Sequence, residues 1–203
     1  MSAFDARVFG ESFVTLAVIM DPPGAIPLFL ALTAGQDVRA RTKAAWQAVV
    51  TSLAVIVVFA LAGREILSFL GISIPALQVA GGLLLLLVAL ELLTGKAEAP
   101  SQTRDVNVAL VPLGTPLLAG PGAIVAVIVF AQHAEDAGEF TALGAAILAI
   151  HLLLWIVLRF SVVFQRLIGQ AGITIITRIA GLLLAAIAVQ LVADGVRAFI
   201  DTA

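Results

Sequence analysis

The sequence predicts an all-α membrane protein: six transmembrane helices arranged as two inverted three-helix repeats, with the first and fourth helices broken. Three observations carry that prediction. The 203 residues are 62% hydrophobic and 12% charged, far from the roughly 45–50% apolar and 25% charged composition of a soluble domain. The apolar residues gather into segments of about 20, the length needed to cross a hydrocarbon core. Short motifs in the first half recur in the second at offsets of 98 to 101 residues.

The first span, about 13–33, is interrupted midway by Asp21-Pro22-Pro23-Gly24-Ala25-Ile26-Pro27. Proline removes a backbone donor and clashes with the preceding turn, so three in seven residues make a continuous helix improbable. The second span, 44–62, carries Thr51 and Ser52, which can bond across helices, and Trp46, which suits the interface. The third, 75–93, contains Gln78, Gly81 and Gly82, and Glu91 near its end. The fourth, 108–131, has Pro112 and Pro116 upstream of Ala119-Gly120-Pro121-Gly122, a second break. The fifth, 140–158, holds His151, expected to be a satisfied interhelical donor, and Trp155. The sixth, 173–193, holds Gly181 and Gln190 and ends beside Asp194. Barrel strands are disfavoured because runs such as Leu83 to Leu87 lack inside/outside alternation. The connections 35–43, 63–74, 95–107, 132–139 and 165–172 hold most of the charges.

Orientation follows from the basic residues. Arg39, Arg41, Lys43, Lys96, Arg104, Arg159, Arg166 and Arg178 fall on one side; Arg7, Arg64 and Arg197 fall on the other. Eight against three places the odd loops in the cytoplasm and both termini outside. The N-terminal Asp5, Arg7 and Glu11, and the break at Asp21, do not read as a cleavable signal peptide.

The composition excludes other classes. A net charge of −2 with 11 scattered basic residues gives no field for nucleic acid. Zero cysteines exclude disulfides, thiol chemistry and thiolate metal sites, and two histidines make a multi-histidine site improbable. No cofactor or metal is expected. The partners implied are the lipid bilayer and a small solute; oligomeric state is not legible.

Pro23-Gly24-Ala25-Ile26 recurs as Pro121-Gly122-Ala123-Ile124, and Gly71-Ile72-Ser73-Ile74 as Gly172-Ile173-Thr174-Ile175. Val79-Ala80-Gly81 recurs as Ile179-Ala180-Gly181. Residues 1–203 thus read as one transmembrane domain, repeat one about 10–95 and repeat two about 107–197. Three crossings per half force the second half to enter from the opposite side, the inverted arrangement of many secondary transporters.

Broken helices at matching positions are the best sequence pointer to a transporter's binding site. The expected site residues are Asp21, Pro23, Gly24, Ala25, Gly120, Pro121, Gly122 and Ala123. A half-helix is expected to start near Gly24 and another near Gly122, each presenting free N–H groups and a positive dipole end to the midplane. Such termini suit a carboxylate. Carbonyls ending the preceding half-helices, with Asp21, suit an ammonium, a proton or a small cation, so a zwitterion satisfies both. An aspartate near a helix centre costs roughly 2.5–3.5 kcal/mol on insertion scales and is functional by default. Asp21 also suits a helix cap, and the two roles are compatible. Ala119 is its counterpart in the second half.

At these two motifs the chain resembles the MarC family, also called the neutral amino acid transporter family and grouped with the LysE-like superfamily. Met20-Asp21-Pro22-Pro23-Gly24-Ala25-Ile26-Pro27-Leu28-Phe29 is similar to its first-half signature, and Leu117-Leu118-Ala119-Gly120-Pro121-Gly122-Ala123-Ile124 to its second. The resemblance implies a multi-pass protein of the cell inner membrane moving glycine, alanine and similar amino acids. The sequence departs from the family at Ala25, where Asn is common, and at Val125-Ala126-Val127, often Ser/Thr-bearing, which shifts the work toward backbone groups. The expected function is a secondary transporter of small neutral amino acids or related solutes by alternating access, proton-coupled through Asp21. Alternatives are an exporter of other metabolites or drugs, a divalent-cation exporter, for which one central carboxylate offers few ligands, or an intramembrane enzyme. The enzyme reading lacks paired catalytic aspartates and a Gly-x-Ser-x-Gly nucleophile, so no enzymatic activity is expected. A membrane protein without transport would leave the broken helices unexplained.

Overall fold

The computed structural model describes residues 4–94 and 118–201, and these are helical, with no strand among them. Seven helices follow in order: α1 Ala6–Met20, α2 Pro22–Leu32, α3 Val38–Phe69, α4 Ile74–Thr94, α5 Pro121–His133, α6 Ala137–Arg159 and α7 Ser161–Asp201.

Their ends are set by local chemistry. Asp5, Asp37 and Asp136 each N-cap a helix, accepting from the amides of Arg7 and Val8, of Ala40 and of Glu139 at 2.7–3.1 Å. Asp5 N–H also donates to Gly138 O at 3.4 Å, tying the start of α1 to the start of α6. At the C-terminus of α3 the chain reverses through Gly71 at φ 66°, where Ile72 N–H bonds Leu67 O at 2.9 Å.

Among the described residues, five segments are long and apolar enough to cross a membrane: Ala6–Leu30, Val38–Phe69, Ile74–Thr94, Ala137–Arg159 and Ser161–Ile200. The first of these takes in α1 and α2 together. The fourth expected span is represented by the 13-residue α5 alone, because residues 108–117 lie outside the described residues. One expected connection is corrected. Residues 165–172 are helical within α7, interrupted at Gly169 (φ 71°, ψ 164°); a single glycine absorbs the change of direction that a polar, glycine-bearing stretch suggested would need a loop.

The packing inverts the soluble pattern. α4 turns Gln78, Gly81, Gly82, Leu85 and Ala89 inward and leaves Leu83, Leu84, Leu87 and Leu90 exposed. Only 17% of the most apolar window of α7 is buried. Small residues face neighbouring helices and large apolar ones face outward, as expected where lipid is the solvent. α4 packs along α7, α1 along α6, and α3 on both α5 and α6. One core joins α1, α2, α3, α5 and α6 through Leu16, Phe29, Ile56, Leu118, Val127 and Leu154. A second, centred on Leu85, Ala89, Leu184 and Ala188, closes α4 against α7.

Candidate functional site

The boundary between α1 and α2 is one residue wide. Asp21 takes a left-handed conformation (φ 38°, ψ 68°), the only non-glycine positive φ among the described residues. Its N–H closes α1 on Ala17 O at 3.1 Å, and its carbonyl opens α2 by accepting from Ala25 N–H at 3.0 Å. The prolines that follow explain the geometry: Pro22 and Pro23 fit the first turn of a helix, where no N–H is required, and disfavour the right-handed helical conformation in the residue before them. The half-helix therefore starts at Pro22, two residues before Gly24, and its first turn is poor in donors. Pro22 and Pro23 have none and the amide of Ala25 is taken, which leaves Gly24 N–H.

The Asp21 side chain is 6% exposed, and neither carboxyl oxygen has a hydrogen-bond partner. Gly24 N–H and the Thr177 hydroxyl of α7 face it without reaching hydrogen-bond geometry. Thr177 Oγ1 is likewise buried and unpartnered. The three converge closely: a Cβ on Gly24 would overlap Asp21 Oδ2 and lie 3.0 Å from Thr177 Oγ1. Glycine at position 24 is thus what lets the carboxyl fold over the start of α2. The positive end of that helix, expected to receive an external anion, instead faces the chain's own carboxyl group.

The second break differs. Gly120 is the N-cap of α5 in extended conformation (φ −62°, ψ 164°), with no side-chain capping bond, and Pro121 is the first helical residue. The first helical bond runs from Ile124 N–H to Gly120 O at 3.1 Å. The amides of Gly122 and Ala123 precede it, and both residues are buried. Leu85 of α4 stands where a Gly122 Cβ would be, with Ile19 Cγ2 3.5 Å away.

The expected site residues fall into two neighbouring groups. Asp21, Pro23, Gly24 and Ala25 form the first, Gly120, Pro121, Gly122 and Ala123 the second. One core contains Met20 and Ala25 together with Leu118, Ala119 and Ala123, so both breaks border the same packed interior. Thr177 was not anticipated. Its signal was the sole hydroxyl within residues 175–193, but the partnership with Asp21 arises only when α7 packs on α2. His151 is satisfied at both ring nitrogens: Nδ1–H donates to Ile147 O at 2.7 Å, so Nε2 accepts from Ser52 Oγ–H of α3 at 3.1 Å.

A family model described as MarC family integral membrane protein matches residues 6–200. A protein of Methanocaldococcus jannaschii is 39% identical over 201 residues, covering 95% of this chain and 98% of the relative. One from Aquifex aeolicus is 35% identical, covering 94% and 92%, and YhcE of Escherichia coli is 31% identical, covering 96% and 94%. Each is named as a UPF0056 membrane protein. No solved structure matches the chain.

Proposed function

The chain belongs to the MarC family of integral membrane proteins, and on that premise we propose that it is a non-enzymatic secondary transporter moving small neutral amino acids or similar zwitterions across the cell inner membrane by alternating access. The observation that carries this reading is the asymmetry of the two breaks within one core. At the first, a buried carboxyl group has no partner. At the second, a helix N-terminus has no side-chain cap. A zwitterion supplies both missing partners: its ammonium group to Asp21, steadied by the Thr177 hydroxyl, and its carboxylate to the Gly122 and Ala123 amides. Away from water each contact is stronger than in solution, while a solute with one charge leaves the other end unmet.

Reciprocal packing supports the inverted repeat. α2 packs on α7 as α5 packs on α4, and α5 packs on α3 as α2 packs on α6. At residue level the relation holds at an offset of 99. A Cβ on Gly82 would lie 2.7 Å from Ala188 O and 2.6 Å from Val192; one on Gly181 would lie 3.2 Å from Ala89 O and from Leu93. Gly82 and Gly181, Ala89 and Ala188, and Leu93 and Val192 are each 99 apart, the pattern that two contacts related by a two-fold axis would have. Ser52 and His151, also 99 apart, bond to each other, as a pair straddling such an axis would. This register aligns Gly181 with Gly82, one residue from the motif match at Gly81. Two similar halves around one axis can open alternately to the two sides, with the cytoplasm facing the odd loops and both termini outside.

Proton coupling is assigned to Asp21, the only carboxyl group at either break. Asparagine tolerates the left-handed conformation, so Asp21→Asn is expected to keep the fold and lose uptake of alanine driven by a pH gradient in proteoliposomes. Full gradient-driven uptake by that variant would falsify the coupling.

A further inference from the structure

A cleft of about 490 Å³ lies between the start of α4 and the ends of α5 and α7. It is lined by Gln78, Gln132, His133 and Asp194 among apolar residues such as Pro75 and Val129. Its size is within the roughly 300–1,000 Å³ of small-molecule sites. Gln78 is 8% exposed. Both amide atoms of Gln132 are buried without partners. Gln132 also walls a second cleft, about 230 Å³, that contains Arg64 and Glu65. Asp194 Oδ1 accepts from Gln190 at 2.8 Å, and His133 Nδ1–H donates to Val129 O at 2.8 Å, which turns the acceptor Nε2 away from its own helix. Buried amides without partners are rare enough to need an explanation, and a polar ligand is one.

We propose that the α4–α5–α7 cleft is a second binding site, a vestibule that holds a small solute by its ammonium group, with Asp194 and His133 accepting from it and the amides of Gln78 and Gln132 contacting its polar remainder. The vestibule rests on the transporter reading for its purpose, but its occupancy can be measured separately.

The full chain in nanodiscs is titrated with alanine, ethylamine and propionate, reading the ligand-induced change in Tm, and alanine counterflow gives KM and Vmax. Alanine and ethylamine are expected to stabilise the protein and propionate to do so much less. Gln132→Leu removes a buried unpartnered amide, and Gln78→Leu a polar group from an apolar surround, so Tm without ligand is expected to stay or rise. Saturation by alanine and ethylamine weakens about fivefold to tenfold, as loss of a ligand hydrogen bond implies, and KM rises with Vmax retained. Asp194→Asn weakens ethylamine and leaves propionate unchanged. A fall in unliganded Tm with ligand saturation unaltered would make both glutamines structural and overturn the vestibule. So would a response to propionate equal to that to ethylamine, or no response to either amine. Asp21→Asn separates the two readings. Loss of counterflow with ethylamine saturation intact supports both; retained counterflow overturns the central site and leaves the vestibule to its own titration.

Discussion

Asp21 combines two costs at one residue: a left-handed backbone, worth about 1–3 kcal/mol outside glycine, and a buried carboxyl group with no partner. Replacement by glycine removes both. Asp21→Gly is therefore expected to raise Tm while abolishing uptake, a trade of function for stability that thermal unfolding and proteoliposome flux would measure together. Gly24→Ala acts through space rather than charge. The added methyl overlaps Asp21 Oδ2, so the carboxyl must swing away, and uptake is expected to fall about tenfold or more at wild-type expression. Thr177→Val keeps shape and deletes the hydroxyl; an increase of KM by about fivefold is expected from the lost hydrogen bond. Asp21 was legible because a charge in an apolar run has few structural explanations. Thr177 was not, since a threonine can satisfy its hydroxyl on its own helix, as Thr33 and Thr174 do, and only the packing of α7 on α2 shows that this one does not.

At the scale of elements, the spans were legible wherever apolar length decides them, and the caps of α1, α3 and α6 stand at aspartates, as helix starts favour. The stretch 165–172 was misread because Gln165, Arg166 and two glycines have the composition of a loop, whereas the flanking turns continue α7 around Gly169. The break itself was legible from the prolines: α1 ends at Met20 and α2 begins at Pro22, two residues before Gly24. The α4–α7 contact yields a graded prediction. A methyl on Gly82 meets the Ala188 carbonyl at 2.7 Å, backbone that cannot step aside, while one on Gly181 meets Ala89 O at 3.2 Å. Gly82→Ala is expected to cost about 1–3 kcal/mol of stability and Gly181→Ala less than about 1.5. Equal costs in a denaturation series would contradict the packing described.

For the whole molecule, the absence of cysteine in the sequence makes topology directly accessible. Asp37, before α3, and Glu135, before α6, precede helices that the proposed inversion sends in opposite directions. Single cysteines at 37 and 135 are expected to label with a membrane-impermeant maleimide from opposite sides, position 37 from the cytoplasm. Labelling of both from one side would remove the inversion. The motif recurrence made the proposed two-fold relation legible, and with it a defect: Asp21 has Ala119 as its counterpart. Such a defect matters because it lets one scaffold prefer one direction. The Ser52–His151 bond carries a further consequence. When two halves exchange shapes about an axis, every distance from a residue to its own image is returned unchanged, whereas a distance such as 82 to 188 is traded for that of 89 to 181. A spectroscopic ruler between 52 and 151 would thus read the same in the two end states and serve as the internal zero, while the two crossed pairs would change in opposite senses and report which gate is shut.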